Sequence, residues 1–187
     1  DDGTGDIFTA TGTTDPTAAK NNDITVSNPT VNEASPYVVF SVNVTSGQSL
    51  SLALANGTAT GGTTTPTNGS VDYGNGSSAL QYSLDNGANW TTYTAAFNAT
   101  LTGGATALLV RTTIVNDTTP DNGETFTLTA TPTGGTAAMG TATIMDDGTG
   151  DIFTATGTTD PTAAKNNDIT VSNPTVNEAS PYVVFSV

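Results

Sequence analysis

The sequence contains no cysteine and no histidine, and only three of its 187 residues are basic: Lys20, Arg111 and Lys165. Without cysteine there are no disulfides and no thiolate metal sites. Without histidine the usual zinc ligand and the usual general base are missing. Serine and threonine are plentiful, but a serine nucleophile has no partner base here. Carboxylate pairs can in principle hydrolyse a glycoside, yet the acids of this chain are better explained as metal ligands, and no enzymatic activity is expected. No apolar run approaches the roughly eighteen residues of a membrane span, so no direct membrane insertion is expected. Seventeen acidic residues give a formal charge of −14, which makes nucleic acid and anionic lipid poor partners. An acidic chain rich in Thr, Gly and Asn suits an extracellular place on a bacterial cell surface.

What the sequence does contain is itself, twice. Residues 1–42 return unchanged as residues 146–187, an offset of 145. That spacing is too long for a solenoid unit of about 20 to 50 residues and matches a whole domain of about 100 to 150. The expected organisation is a tandem array. Residues 1–22 are the end of a preceding repeat and its connector, and residues 23–148 are one complete repeat. Residues 149–167 are an interdomain connector, with an additional edge strand as the alternative. Residues 168–187 are the first strands of the next, incomplete repeat. The natural protein is expected to continue in both directions.

Within one repeat, strong acidity with few aromatics could mean disorder, but apolar and polar residues alternate with the period of a strand. Residues 23–31 (DITVSNPTV) read as a strand broken at Asn28-Pro29, which confines it to an edge or a bulge. Residues 37–45 (YVVFSVNVT) should turn Val38, Phe40, Val42 and Val44 to the core. Leu50, Leu52 and Leu54 repeat the pattern, and residues 56–75 read as a long loop. Further strands are expected at 79–84, 90–97, 107–115, 125–130 and 140–145. About eight strands rich in Thr and Val, bounded by Gly and Pro and with no convincing helix, predict an all-β antiparallel sandwich.

Four segments in order resemble the Calx-beta family of calcium-binding, Ig-like β-sandwiches. They are Val31-Asn32-Glu33-Ala34, the run 56–62 (NGTATGG) with Asp72-Tyr73, the run 116–126 (NDTTPDNGETF) and the run 140–148 (GTATIMDDG). The resemblance spans about residues 23–148. Repeats of this type are similar to those of giant bacterial surface adhesins of the biofilm (RTX) type. Two departures stand out: Asn116 replaces a usual acid, and a Thr-rich insertion at 63–71 precedes Asp72. The resemblance implies calcium (Ca2+) at one end of the sandwich, held by Glu33, Asp72, Asp117, Asp121, Glu124, Asp146 and Asp147. The residues agree with it, because the acids sit at strand ends and in turns, where carboxylates and carbonyls can supply six to eight oxygens. The plainer reading is that these acids merely solvate loops.

Residues 83–90 (SLDNGANW) fit the Asp-box hairpin found in sialidases. A sialidase needs several arginines and this repeat has only Arg111, so a hairpin with a tight Asn-Gly turn and Trp90 closing the core is preferred. Lys20 and Lys165 occupy the same repeat position and read as solvated. The segment 168–187 cannot bury Val183, Phe185 and Val187 alone, so it should pair with a neighbouring chain, by strand donation or by joining head to tail in a filament. The expected function is that of a structural extender of a long extracellular adhesin or surface filament, rigidified by calcium at the domain ends. Each repeat would add about 35 to 50 Å if strands of about ten residues lie along the axis. The alternatives are a calcium-dependent glycan-binding module, using the 56–75 loop with Tyr73 or Tyr93, and an S-layer or sheath subunit assembling by strand pairing.

Overall fold

The computed structural model describes residues 5–17, 24–62, 70–76, 78–168 and 171–186. Lys20, Asp23, Val187 and most of the insertion at 63–71 lie outside them. The described residues form an all-β architecture of twelve strands without a helix, so none contains a helix long and apolar enough to cross a membrane.

One five-stranded sheet has the order β1 (Thr25–Val26), β3 (Tyr37–Asn43), β10 (Leu108–Thr113), β7 (Gln81–Ser83) and β8 (Thr91–Thr92). A second has the order β2 (Thr30–Asn32), β12 (Ala138–Met145), β11 (Glu124–Pro132), β4 (Gln48–Asn56) and β9 (Phe97–Ala99). A small third sheet pairs β5 (Gly61–Gly62) with β6 (Tyr73–Gly74) inside the stretch read from sequence as loop. Pairing is mostly antiparallel, but β2 runs parallel to β12 and β5 parallel to β6, so the sheets are mixed where all-antiparallel pairing was expected.

The strand expected at 23–31 is divided between the two large sheets. β1 pairs with β3, and after Asn28-Pro29 the chain crosses to pair β2 with β12. Proline cannot donate to a ladder, so the break falls where a strand must change sheets. Side chains secure the crossing: Ser41 N donates to Ser27 Oγ at 2.8 Å and Thr141 N to Asn28 Oδ1 at 2.7 Å. The segment 90–97 behaves in the same way, its start pairing as β8 in one sheet and its end as β9 in the other. A sequence pattern of period 2 does not record a change of sheet, because inward residues stay inward across it.

The core follows the alternation. Val38, Phe40 and Val42 from β3 are fully buried, as are Leu108 and Val110 from β10, Phe126 and Leu128 from β11, and Leu50 from β4. Val44, expected to follow them, is only half-buried. Phe126 joins all three sheets: its ring lies 6.0 Å from Phe40, edge to face, and stacks on Tyr73 at 3.8 Å.

The opposite face of the first sheet is covered too, and this the alternation does not anticipate. Arg111 on β10 is 7 % exposed, with its guanidinium 4.1 Å from the Tyr37 ring centroid and 4.0 Å from that of Trp90. Its Nη1 donates to the Ala155 carbonyl at 2.5 Å, so the segment after β12 folds back over this face. The hairpin at 83–90 shapes the same surface. Asn86 and Gly87 both have positive φ, at 57° and 82°, as a tight Asn-Gly turn requires. Ser83 Oγ accepts from Gly87 N at 2.9 Å, and Asp85 Oδ1 accepts from Asn89 N at 2.9 Å. A Cβ on Gly87 would collide with the Thr156 carbonyl.

The two identical segments differ in their surroundings. Ser27 and Ser41 exchange the same hydrogen bonds as Ser172 and Ser186, at 2.8 to 2.9 Å in each copy. Val38 and Phe40 are nevertheless fully buried, whereas Val183 and Phe185 are 47 % and 57 % exposed. Local sequence sets the turn, but a strand needs partners, and no strand corresponding to β10 or β12 lies beside the second copy among the described residues.

Because Phe126 holds the sheets together, Phe126→Ala should destabilise the fold by about 3 to 5 kcal/mol. Urea denaturation reads this directly, and a loss below about 1 kcal/mol would contradict the assignment.

Candidate metal centre

Carboxylates gather at one end of the strands in two groups. Glu33, just after β2, and Asp146, just after β12, meet Asp168, with one oxygen from each within 4.8 Å of the others. The parallel pairing of β2 with β12, in which Asn32 faces Met145, delivers the first two together. Asp168 arrives because the chain beyond β12 turns back: Asp168 N donates to the Asp146 carbonyl at 3.0 Å, and Gly148 N to that of Asn166 at 2.9 Å. Asn166 braces the turn, giving its amide to Glu33 Oε2 at 2.7 Å and Asn116 Oδ1 at 3.0 Å, while its backbone N donates to Asn32 Oδ1 at 2.7 Å.

In the second group Asp72, Asp121 and Glu124 likewise have one oxygen each within 4.8 Å. Asp72 precedes β6, and its Oδ2 accepts from Thr60 N at 2.6 Å. Asp121 and Glu124 flank the turn into β11, where Gly123 adopts a φ of 89°. Asp117 stands between the groups: its backbone N donates to Glu33 Oε1 at 3.1 Å, and its charge is felt by Glu33, Asp146, Asp121 and Glu124.

Of the seven residues named from sequence, five thus fall in the two groups and Asp117 lies between them. Asp147 does not join. It is exposed and turned outward, its carboxylate accepting from Thr149 Oγ1 at 2.5 Å, Thr149 N at 2.9 Å and Asn122 Nδ2 at 3.2 Å, and these bonds, the Thr149 hydroxyl first, lower its pKa. Asp168 was missed, since it lies beyond the span of the resemblance. The available signal was its identity, by repetition, with Asp23, but only the returning chain brings it to Asp146. Tyr73, named as a sugar-binding aromatic, is fully buried against Phe126 and donates to Asn56 Oδ1 at 2.6 Å, so it offers no exposed platform. Tyr93 is half-buried, its hydroxyl accepting from Leu52 N at 3.0 Å.

The electrostatics are those of crowded acids. Burial raises the pKa of Glu33 to about 7, with the charges of Asp146 and Asp117 adding to it. Burial raises Glu124 to about 8, reinforced by Asp72, and burial also raises Asp121 and Asp146. Two carboxylates 4 to 5 Å apart repel by about 1 kcal/mol in water, and by several times that at the effective dielectric of a protein. Asp146 is the extreme case. It is 2 % exposed, and neither carboxylate oxygen has a hydrogen-bond partner. Its neighbours Glu33 and Asp168 are acceptors when ionised, and a proton held on Glu33 relieves it. Buried charges are normally paired or bound to metal, and an orphaned carboxylate among oxygen donors, with no nitrogen or sulfur ligand beside it, fits a hard cation such as calcium.

No protein-family model matches the chain, and no curated protein matches it.

The raised pKa values fix the sign of a pH dependence. Glu33 and Glu124 titrate near 7 and 8 in the folded chain, against 4.5 for an unperturbed glutamate. Between these values the folded state holds more protons than the unfolded state. Stability is therefore fully present below about 4.5 and is lost as pH rises through the folded values. In chelator, the melting temperature should fall from about pH 5 to about pH 8. A flat or rising profile across that window would contradict the crowding.

Proposed function

We propose that this chain is a non-catalytic extender of a long extracellular bacterial adhesin or surface filament, an Ig-like β-sandwich of Calx-beta type repeated in tandem and rigidified by calcium. The observation that carries the reading is Asp146, whose two buried oxygens lack any donor beside Glu33 and Asp168. The all-β, helix-free architecture is that of a structural module and is consistent with a non-catalytic role.

In this reading residues 23–148 are the body of one repeat, residues 149–167 its connector, and Asp168 the first residue of the next body. Glu33 and Asp146 belong to one body and Asp168 to the next, so a cation among them is shared across the boundary. It would hold the carboxylates ionised and fix the exit of the chain, while a second cation at Asp72, Asp121 and Glu124 would pin the β6 loop to the start of β11. Asp117 would serve both. The protein supplies a dry, oxygen-lined position, and the ion supplies charge that crowded carboxylates cannot find in one another. The uncovered apolar side chains Val183 and Phe185 fit strand pairing with a neighbouring chain, and neighbouring repeats are the other partners. Reach and stiffness are then the function.

A melt with calcium and with chelator tests the reading. At a hundredfold excess over its dissociation constant, one ion that binds only the folded state adds about 2.7 kcal/mol, equivalent to roughly 5 to 10 °C at this size. Asp146→Asn should remove most of that gain. Equal melting temperatures in calcium and chelator would dispose of the metal assignment.

A further inference from the structure

Five asparagines are followed directly by glycine: Asn56, Asn68, Asn75, Asn86 and Asn122. Such a pair is prone to attack its own side chain, because glycine puts no Cβ in the way of the backbone nitrogen that attacks. The fold decides which pair can react. Attack needs a glycine N–H free to give up its proton and an asparagine side chain free to turn onto it, and a hydrogen bond at either group must first be broken. Asn68-Gly69 lies outside the described residues.

Three of the other four pairs are held. Gly57 N donates to the Thr125 carbonyl at 3.1 Å, while Asn56 Oδ1 accepts from Gly61 N at 3.0 Å and from the Tyr73 hydroxyl at 2.6 Å. Gly87 N donates to Ser83 Oγ at 2.9 Å inside the Asp-box hairpin, where Gly87 is buried. Gly123 N donates to the Ile144 carbonyl at 2.9 Å, and Asn122 uses both ends of its amide, accepting from Asp146 N at 2.9 Å and donating to Asp147 Oδ2 at 3.2 Å. Asn75-Gly76 differs on every count. Asn75 is exposed, and among the described residues neither its side chain nor Gly76 N has a hydrogen-bond partner. Both residues line a surface hollow of about 430 Å³ with Leu54, Leu80 and Tyr93, so water reaches them.

We propose that Asn75-Gly76 is a self-deamidation site, a covalent modification centre that the chain completes with water alone. Gly76 N loses its proton to solvent base and bonds to Asn75 Cγ, the bond from Cγ to the side-chain nitrogen breaks, and ammonia leaves with a proton, closing a succinimide. Water then opens the ring at one of its two carbonyls. One opening leaves aspartate at position 75, and the other leaves isoaspartate, with the main chain running through the Asn75 side-chain carbon. Asn75 directly follows β6, and its own N donates to the Gly62 carbonyl at 2.8 Å at the end of the β5–β6 pair. Isoaspartate lengthens the main chain by a methylene at that bond and loosens the small sheet. Either product adds a carboxylate at the end of the strand that Asp72 precedes.

The test incubates the full 187-residue chain beside a synthetic peptide of residues 72–79 at mildly alkaline pH. Mass spectrometry of digests follows replacement of NH2 by OH at each asparagine, and fragmentation separates aspartate from isoaspartate. Asn75 should convert at least about tenfold faster than Asn56, Asn86 and Asn122, the factor that one retained hydrogen bond supplies. Gly76→Ala should slow Asn75 by a similar factor and leave the fold intact, since a Cβ there meets nothing within 4 Å and the φ of Gly76 is not positive. Conversion of Asn75 no faster than that of the three held pairs overturns the proposal. So does an Asn75 left unchanged in the folded chain once the peptide has largely converted, or a Gly76→Ala chain that converts at the parent rate.

Discussion

Burying a carboxylate among other acids is costly, and at Asp146 this fold places such a group where two strands end side by side. Strands of one large sheet deliver acids to the same end. β2 and β12 bring Glu33 and Asp146, and the entry to β11 brings Asp121 and Glu124 toward Asp72. The one arginine, Arg111, is committed to the far face of the first sheet between Tyr37 and Trp90. Stability gained by packing around Phe126 is therefore opposed at one end by carboxylate crowding. On the proposed reading, a cation there would reverse the sign of that contribution.

The same end is where the chain leaves the body, and there mechanics and chemistry coincide. The chain after β12 is anchored at two places, where Ile152 and Phe153 are buried and where Asn166 bonds to Asn32, Glu33 and Asn116. A segment whose length suggests a loose linker instead covers the face that the strand alternation leaves apolar at Val39. Asp168 follows immediately, and it is one of the three acids of the first group.

Much of this was legible in the sequence, and what was not has a physical cause. Period-2 alternation located the inward faces of β3 and β4 and the positions of β10, β11 and β12, since burial of one face is what the pattern records. It did not show that 23–31 and 90–97 change sheets, because crossing preserves the inward face and only the hydrogen-bond partner changes. It missed β5 and β6, whose glycines have no side-chain period to read. Acids at strand ends were recognisable as a group, but Asp147 and Asp168 exchanged places: an Asx turn to Thr149 draws the first away, and a contact across 22 positions of sequence brings in the second. The duplicate segments make the same point within one chain. Identical residues form identical turns in both copies, and a phenylalanine is buried only where its own segment has partners: Phe40 but not Phe185, and Phe153 but not Phe8.

The measurement that reaches the central claim most directly is the number of calcium ions bound by the intact chain, from equilibrium dialysis or titration calorimetry at neutral pH. Two carboxylate groups sharing Asp117 predict about two ions per chain, with proton release on binding as Glu33 and Glu124 ionise. Retention of no calcium at millimolar concentration, with no protons released, would contradict the account and leave the crowded end of the fold without its counter-ion.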